Sequence, residues 1–88
     1  MRILPLAPEV ERYLAERGLT KKFEKQKRLF EQNPRHPSLN TELLEPRQYK
    51  IYSFRIDKRY RAHFWLRSPE TIEILTVTDH YKRPRRAV

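Results

Sequence analysis

The chain is 88 residues long with no cysteine, and it sets 20 Lys and Arg against 11 Asp and Glu for a formal net charge of +9. That length allows one domain with a thin core, and the missing cysteines exclude a disulfide framework or a thiolate metal site. No apolar run approaches the roughly 20 residues of a membrane span, and charges follow a very short apolar stretch at MRILPLAPEVERYL, unlike a signal peptide. The expectation is a soluble cytoplasmic domain whose positive field draws polyanions.

A single glycine leaves Pro, Asn, Asp and Ser to punctuate the chain. Weak alternation over Arg2 to Leu6 predicts a short first strand. Pro8 suits a first helical turn, and Glu9 and Glu11 stand at the positive end of the helix dipole. Val10, Tyr13 and Leu14 share a face of this helix, and Gly18 is its natural stop. Thr20 is the expected cap of a second helix that carries Phe23, Leu29 and Phe30. Asn33-Pro34 ends that helix.

A Pro-punctuated connection follows over 33–47, in which Leu39, Leu43 and Leu44 are expected to fold back on the core. It is long for a small domain, a property more often associated with function than not. Three strands are then predicted, at about 48–56, 60–67 and 71–79. The order β-α-α-β-β-β defines an α+β domain, its N-terminal strand and helical hairpin packed on an antiparallel sheet. The last seven residues, KRPRRAV, read as a mobile basic tail.

The apolar pattern also predicts a register. Tyr52, Phe54 and Ile56 share one face with Tyr60, Ala62, Phe64 and Leu66 only if Ile56 opposes Tyr60, leaving a connection of 57–59. The other face then sets Arg55 across from Arg61, Ser53 across from His63 and Ile51 across from Trp65. Both arginines are expected to face solvent, and their repulsion favours an anion between them. The alternative is that their stems splay outward, against Glu73 or Asp79.

YSFRIDKRYRAHFWL, the strand Ile72 to Thr78 and then Asp79-His80-Tyr81 together resemble the RelE/ParE toxin superfamily, and within it the RelE and YoeB-type messenger-RNA interferases. Asn33-Pro34-Arg35-His36-Pro37-Ser38-Leu39 is similar to that family's link between helical hairpin and sheet. The resemblance spans nearly the whole chain. It implies the toxin of a type II toxin–antitoxin pair, which cuts messenger RNA in the ribosomal A site and is silenced by an acidic, RelB-like antitoxin. By residue, Arg61 matches the family's strand arginine and Arg55 the second arginine of the YoeB-like subgroup. His80 and Tyr81 match the C-terminal His-Tyr pair. Glu42 sits at the spacing of the catalytic carboxylate, with Glu45 a close competitor. The chain departs from the subgroup in continuing past the tyrosine, from Lys82 to Val88.

These residue types suit metal-independent RNA cleavage, with Glu42 as base, Arg55 and Arg61 binding transition-state charge, His80 as acid and Tyr81 stacking on a base or orienting the phosphate. Lys50, Arg59, His63, Trp65 and Lys82 are the further candidates for RNA contact, although Trp65 could equally be a packing residue under the tail. Three scattered histidines have no metal-ligand spacing, and neither a cofactor nor a small-molecule ligand is expected. Two other functions remain open: a ParE-like inhibitor of DNA gyrase, which the His-Tyr pair disfavours, and an inactive module that only binds RNA or antitoxin.

Overall fold

The computed structural model describes residues 1–79. Its elements are β1 (Arg2–Ile3), α1 (Pro8–Glu16), α2 (Thr20–Gln32), β2 (Glu42–Leu43), β3 (Tyr52–Arg55), β4 (Tyr60–Ser68) and β5 (Thr71–Asp79), with 3₁₀ turns at Pro37–Leu39 and Arg47–Tyr49. The strands form one sheet in the order β1-β5-β4-β3-β2. Two helices packed on a five-stranded sheet make this an α+β domain, as the order of predicted elements implied.

The helical hairpin is built by its cap. At the end of α1 the Gly18 N–H donates to the Ala15 carbonyl at 3.1 Å, and the Leu19 N–H reaches back to Leu14 at 2.8 Å. Gly18 has a φ of 66°, a left-handed value that glycine adopts without a Cβ clash. The Leu19 carbonyl then accepts the Phe23 N–H at 2.8 Å. Leu19, not Thr20, is therefore the N-cap of α2, and no side-chain cap is made. The turn geometry leads directly into the helix, which displaces the expected Thr20 cap. Asn33 ends α2 in an extended conformation, as the following proline favours.

The sheet departs from the expected all-antiparallel arrangement at one edge, because β1 pairs parallel with β5. It is also shorter than the predicted Arg2 to Leu6, since Pro5 lacks the N–H a longer ladder would use. Arg2 and Leu4 donate to the Glu70 and Ile72 carbonyls at 2.8 and 3.0 Å. The outward Ile3 N–H is met by the Glu31 carboxylate of α2 at 3.0 Å. A helix side chain thus satisfies the edge donor that would otherwise be open to another strand.

The β3–β4 register is the predicted one, with Ser53 opposite His63 and Arg55 opposite Arg61. The ladder begins at Tyr52–Phe64, so the expected pairing of Ile51 with Trp65 is not part of it. Residues 48–51 do not extend β3 as predicted. Arg47–Tyr49 form a 3₁₀ turn closed by Lys50 at a φ of 55°, which breaks the extended backbone. The Ile51 carbonyl instead accepts the Leu44 N–H at 2.8 Å. Between β4 and β5 a bulge falls at His63/Phe64, where Thr76 and Ile74 are the successive partners. The extra residue, Leu75, lets Ile72, Ile74 and Val77 all face the helices while Thr76 and Thr78 face away.

The core lies between the helices and the inner sheet face. Phe54 is fully buried, and its ring centroid lies 6.2 Å from Phe23, 5.4 Å from Phe30 and 5.8 Å from Phe64. Leu39 is also fully buried, whereas Leu43 and Leu44 are half-buried. Gln26, a polar residue on the apolar face of α2, donates to the Arg55 carbonyl at 2.8 Å and to the Ser38 carbonyl at 3.3 Å. It ties the helix to both the end of β3 and the 33–47 connection.

Asp57 makes the turn between β3 and β4. Its Oδ1 accepts the Arg59 and Tyr60 N–H groups, both at 2.8 Å, and Oδ2 accepts from Lys22 Nζ at 3.1 Å. Burial pushes the Asp57 carboxyl up, but the Arg59, Tyr60 and Lys22 donors outweigh it and hold the group below its ordinary value. A depressed native pKa stabilises the fold above the ordinary aspartate range and is lost as pH falls through the native value. Asp57→Asn is expected to cost about 1 kcal/mol at pH 7. The gap to wild type should begin to close below about pH 4. Urea unfolding at pH 7 and pH 3 checks this, and a pH-independent gap would contradict it.

Candidate nucleic-acid interface

The sheet face turned away from the helices carries Ser53 and Arg55 from β3, Arg61, His63 and Trp65 from β4, and Glu73, Thr76 and Thr78 from β5. Alternation along each strand sets this membership, but not exposure. Ser53 is fully buried and Arg61 is only 6% exposed. This corrects the expectation that Arg61 faces solvent.

The cover comes from the 33–47 connection. β2 pairs with β3 so that Glu42 opposes Ser53. Just before it, Asn40 adopts a left-handed φ of 44° and its carbonyl accepts from Arg61 Nη2. Arg61 Nε donates to Ser53 Oγ at 2.9 Å, and Nη2 also donates to the Ser53 carbonyl at 3.2 Å. The Glu42 carboxylate lies 4.0 Å from the same Nη2. A buried guanidinium persists only where acceptors replace its lost hydration, and Ser53, Asn40 and Glu42 provide them.

The two opposed arginines thus divide. Arg61 turns into the protein, and Arg55 stays exposed. Both acids suggested for them make contacts with other side chains. Glu73 binds Trp65 Nε1 and Arg67 Nη1, each at 2.9 Å, and Asp79 binds Arg59 Nε at 2.9 Å. That hydrogen bond and the Asp79 charge raise the Arg59 pKa above its ordinary value. Of the two candidate carboxylates, Glu42 is the one beside Arg61, while Glu45 pairs with Arg47 at 3.3 Å. Glu42 remains half exposed.

Glu42, Arg55, Arg61 and His63 therefore share one region, with His63 Nε2 at 3.2 Å from Thr78 Oγ1. Arg59 lies at the same end of the sheet, where Asp79 opposes Tyr60. Trp65 stands at the other end, four residues along β4 from Arg61 or about 13 Å at strand rise, and Lys50 lines the same pocket as Trp65. His80, Tyr81, Lys82 and the basic tail lie outside the described residues. Asn40, Ser53 and Gln26 belong to the site's framework but were not singled out in the sequence. Serine, asparagine and glutamine have no periodic signature, and only the register exposes Ser53 as a neighbour of Arg61.

The class defined is thus a small basic α+β domain, helices on one sheet face and, on the other, a cationic patch beside the Glu42 carboxylate. No family model matches the chain, and no curated protein matches it. Among the described residues no helix is long and apolar enough to cross a membrane.

Proposed function

We propose that the protein is a messenger-RNA interferase of the RelE/ParE toxin type, a metal-independent endoribonuclease of the cytoplasm acting in the ribosomal A site. Its natural partner is an acidic antitoxin. The observation that carries this reading is the meeting of Glu42, Arg55 and Arg61 on one sheet face, with the carboxylate 4.0 Å from the buried guanidinium. The net charge of +9 supports a polyanionic substrate.

In this reading Glu42 removes the 2′-hydroxyl proton, and the 2′-oxygen attacks the adjacent phosphorus. The phosphorus–5′-oxygen bond breaks to leave a 2′,3′-cyclic phosphate, and His80 protonates the departing oxygen. Arg55, exposed, binds the phosphate oxygens as negative charge grows. Arg61, its donors engaged by Ser53 and Asn40, acts on Glu42 by charge and position. Tyr81 stacks on a base next to the scissile bond.

Primer extension on a defined messenger in a reconstituted translation mixture tests the reading. Wild type is expected to generate new 5′ ends inside ribosome-occupied codons. His80→Ala is expected to abolish them, and Glu42→Gln to slow them by about 10²- to 10³-fold. Intact messenger and unaffected translation would overturn it. The engagement of Arg61 inside the protein favours one second reading, a module that binds RNA or antitoxin without chemistry. The same assay separates them, because a binding module yields no new ends.

A further inference from the structure

A concave site lies at the far end of the sheet. Beyond the Tyr52–Phe64 pair, β4 runs on to Ser68 without a β3 partner. The turn at Arg47–Tyr49 delivers Tyr49 and Lys50 to this end, where they join Tyr52, Trp65 and Leu66 around a pocket of about 470 Å³. Of the large hydrophobic side chains exposed among the described residues, Tyr49, Trp65 and Leu66 line this pocket and only Met1 lies elsewhere. Single exposed apolar residues need no explanation, but a cluster in one concavity marks a binding surface.

Two of its walls are set before any ligand arrives. Trp65 Nε1 donates to Glu73 Oε1 at 2.9 Å, and Arg67 Nη1 holds the same oxygen at 2.9 Å. The Trp65 and Arg67 donors keep the Glu73 carboxyl below its ordinary value, so the anchor stays ionised. The Tyr52 ring stacks on Phe64, with centroids 5.7 Å apart and planes at 20°. Aromatic surfaces already fixed lose little entropy on binding. Lys50 brings an exposed ammonium to the rim.

Flat aromatic walls beside a cation fit a stacked base and its phosphate better than an acidic peptide, whose carboxylates need cations and gain little from ring faces. We propose that this pocket holds one nucleotide of single-stranded RNA, its base on the aromatic lining and its phosphate on Lys50. The choice of RNA as the polyanion rests on the function proposed above, but cleavage is not required.

Trp65 is the only tryptophan in the chain, so its fluorescence reports on the pocket. Full-length protein is titrated with a single-stranded adenosine RNA hexamer, carrying a label for anisotropy in a parallel series. Saturable quenching is expected with RNA, and none with inorganic polyphosphate. Tyr49→Ala should weaken binding about tenfold. Lys50→Ala should reduce the slope of log affinity against log salt by about 0.7, the value for one phosphate contact on a single strand. Unchanged circular dichroism melts would show that both variants are folded.

The proposal is overturned if RNA binds by anisotropy without quenching, or if polyphosphate quenches equally. Displacement of RNA by polyglutamate with the same quenching would assign the pocket to acidic peptides and also overturn it. Messenger cleavage measured on the same preparation keeps the two claims apart. Cleavage without quenching removes the pocket and leaves the interferase, whereas quenching without cleavage does the reverse.

Discussion

Arg61→Ala is expected to destabilise the domain by about 3 kcal/mol, although an arginine on the outer face of a sheet would ordinarily be replaceable. The side chain is buried and donates to Ser53 Oγ, the Ser53 carbonyl and the Asn40 carbonyl. Alanine leaves these acceptors in a space that water does not readily refill, and hydrogen bonds to a charged group contribute about 1.5–3 kcal/mol each before the cost of burying the cation is subtracted. Arg61→Lys should recover part of the loss, because an ammonium keeps the charge but cannot reproduce the fork between Ser53 and Asn40. Arg55→Ala, at the exposed partner, should change stability by no more than about 0.5 kcal/mol. Urea unfolding followed by circular dichroism compares the three. Equal and small effects at both positions would mean that Arg61 is solvated after all. The contrast also bears on the proposed function: a loss of messenger cleavage in Arg61→Ala would not by itself identify a chemical role, whereas a loss in Arg55→Ala would.

Phe54→Ala should have the larger effect, about 3–5 kcal/mol, enough to leave a domain of this size largely unfolded at 37 °C. Phe54 is fully buried, with Phe23 and Phe30 of α2 on one side and Phe64 of β4 on the other. Removing the ring opens a cavity at the point where helix and sheet meet, and the backbone there has little freedom to collapse. The Arg55 carbonyl next along β3 is tied to Gln26 on α2, and the following turn is held by Asp57. Phe54→Leu should cost less, since it refills part of the volume. A cooperative melt for Phe54→Ala within a few degrees of wild type would show that the aromatic cluster does not carry the core.

The two effects are linked through one strand. β3 presents Phe54 to the helices and Ser53 and Arg55 to the opposite face, so its register sets core and cationic patch together. A slip of one residue would exchange Phe54 with its polar neighbours. The arginine pair is therefore a geometric consequence of core packing, whatever further use it serves.

Much of this was determined by the sequence alone. Periodicity in Val10, Tyr13 and Leu14, and in Phe23 and Phe30, together with Gly18 and Asn33-Pro34, defines the helical hairpin. The alternation of Tyr52, Phe54 and Ile56 against Tyr60, Ala62 and Phe64 leaves one register for β3 and β4, and so decides that Arg55 faces Arg61. Such features repeat within a few residues, which is why a linear reading recovers them. A first strand is also expected from the alternation over Arg2 to Leu6, but its parallel pairing with β5 and the two-residue β2 are different, because they depend on partners far away in the chain. Burial of Arg61 belongs to the same class. Alternation tells which face a side chain takes, but what covers that face depends on the 33–47 connection folding back to bring Asn40 and Glu42 over Ser53. The aromatic pocket likewise joins separate segments: Tyr49 and Lys50 come from the turn that delays the start of β3 to Tyr52, and Trp65 and Leu66 from β4, and only the folded chain brings them together.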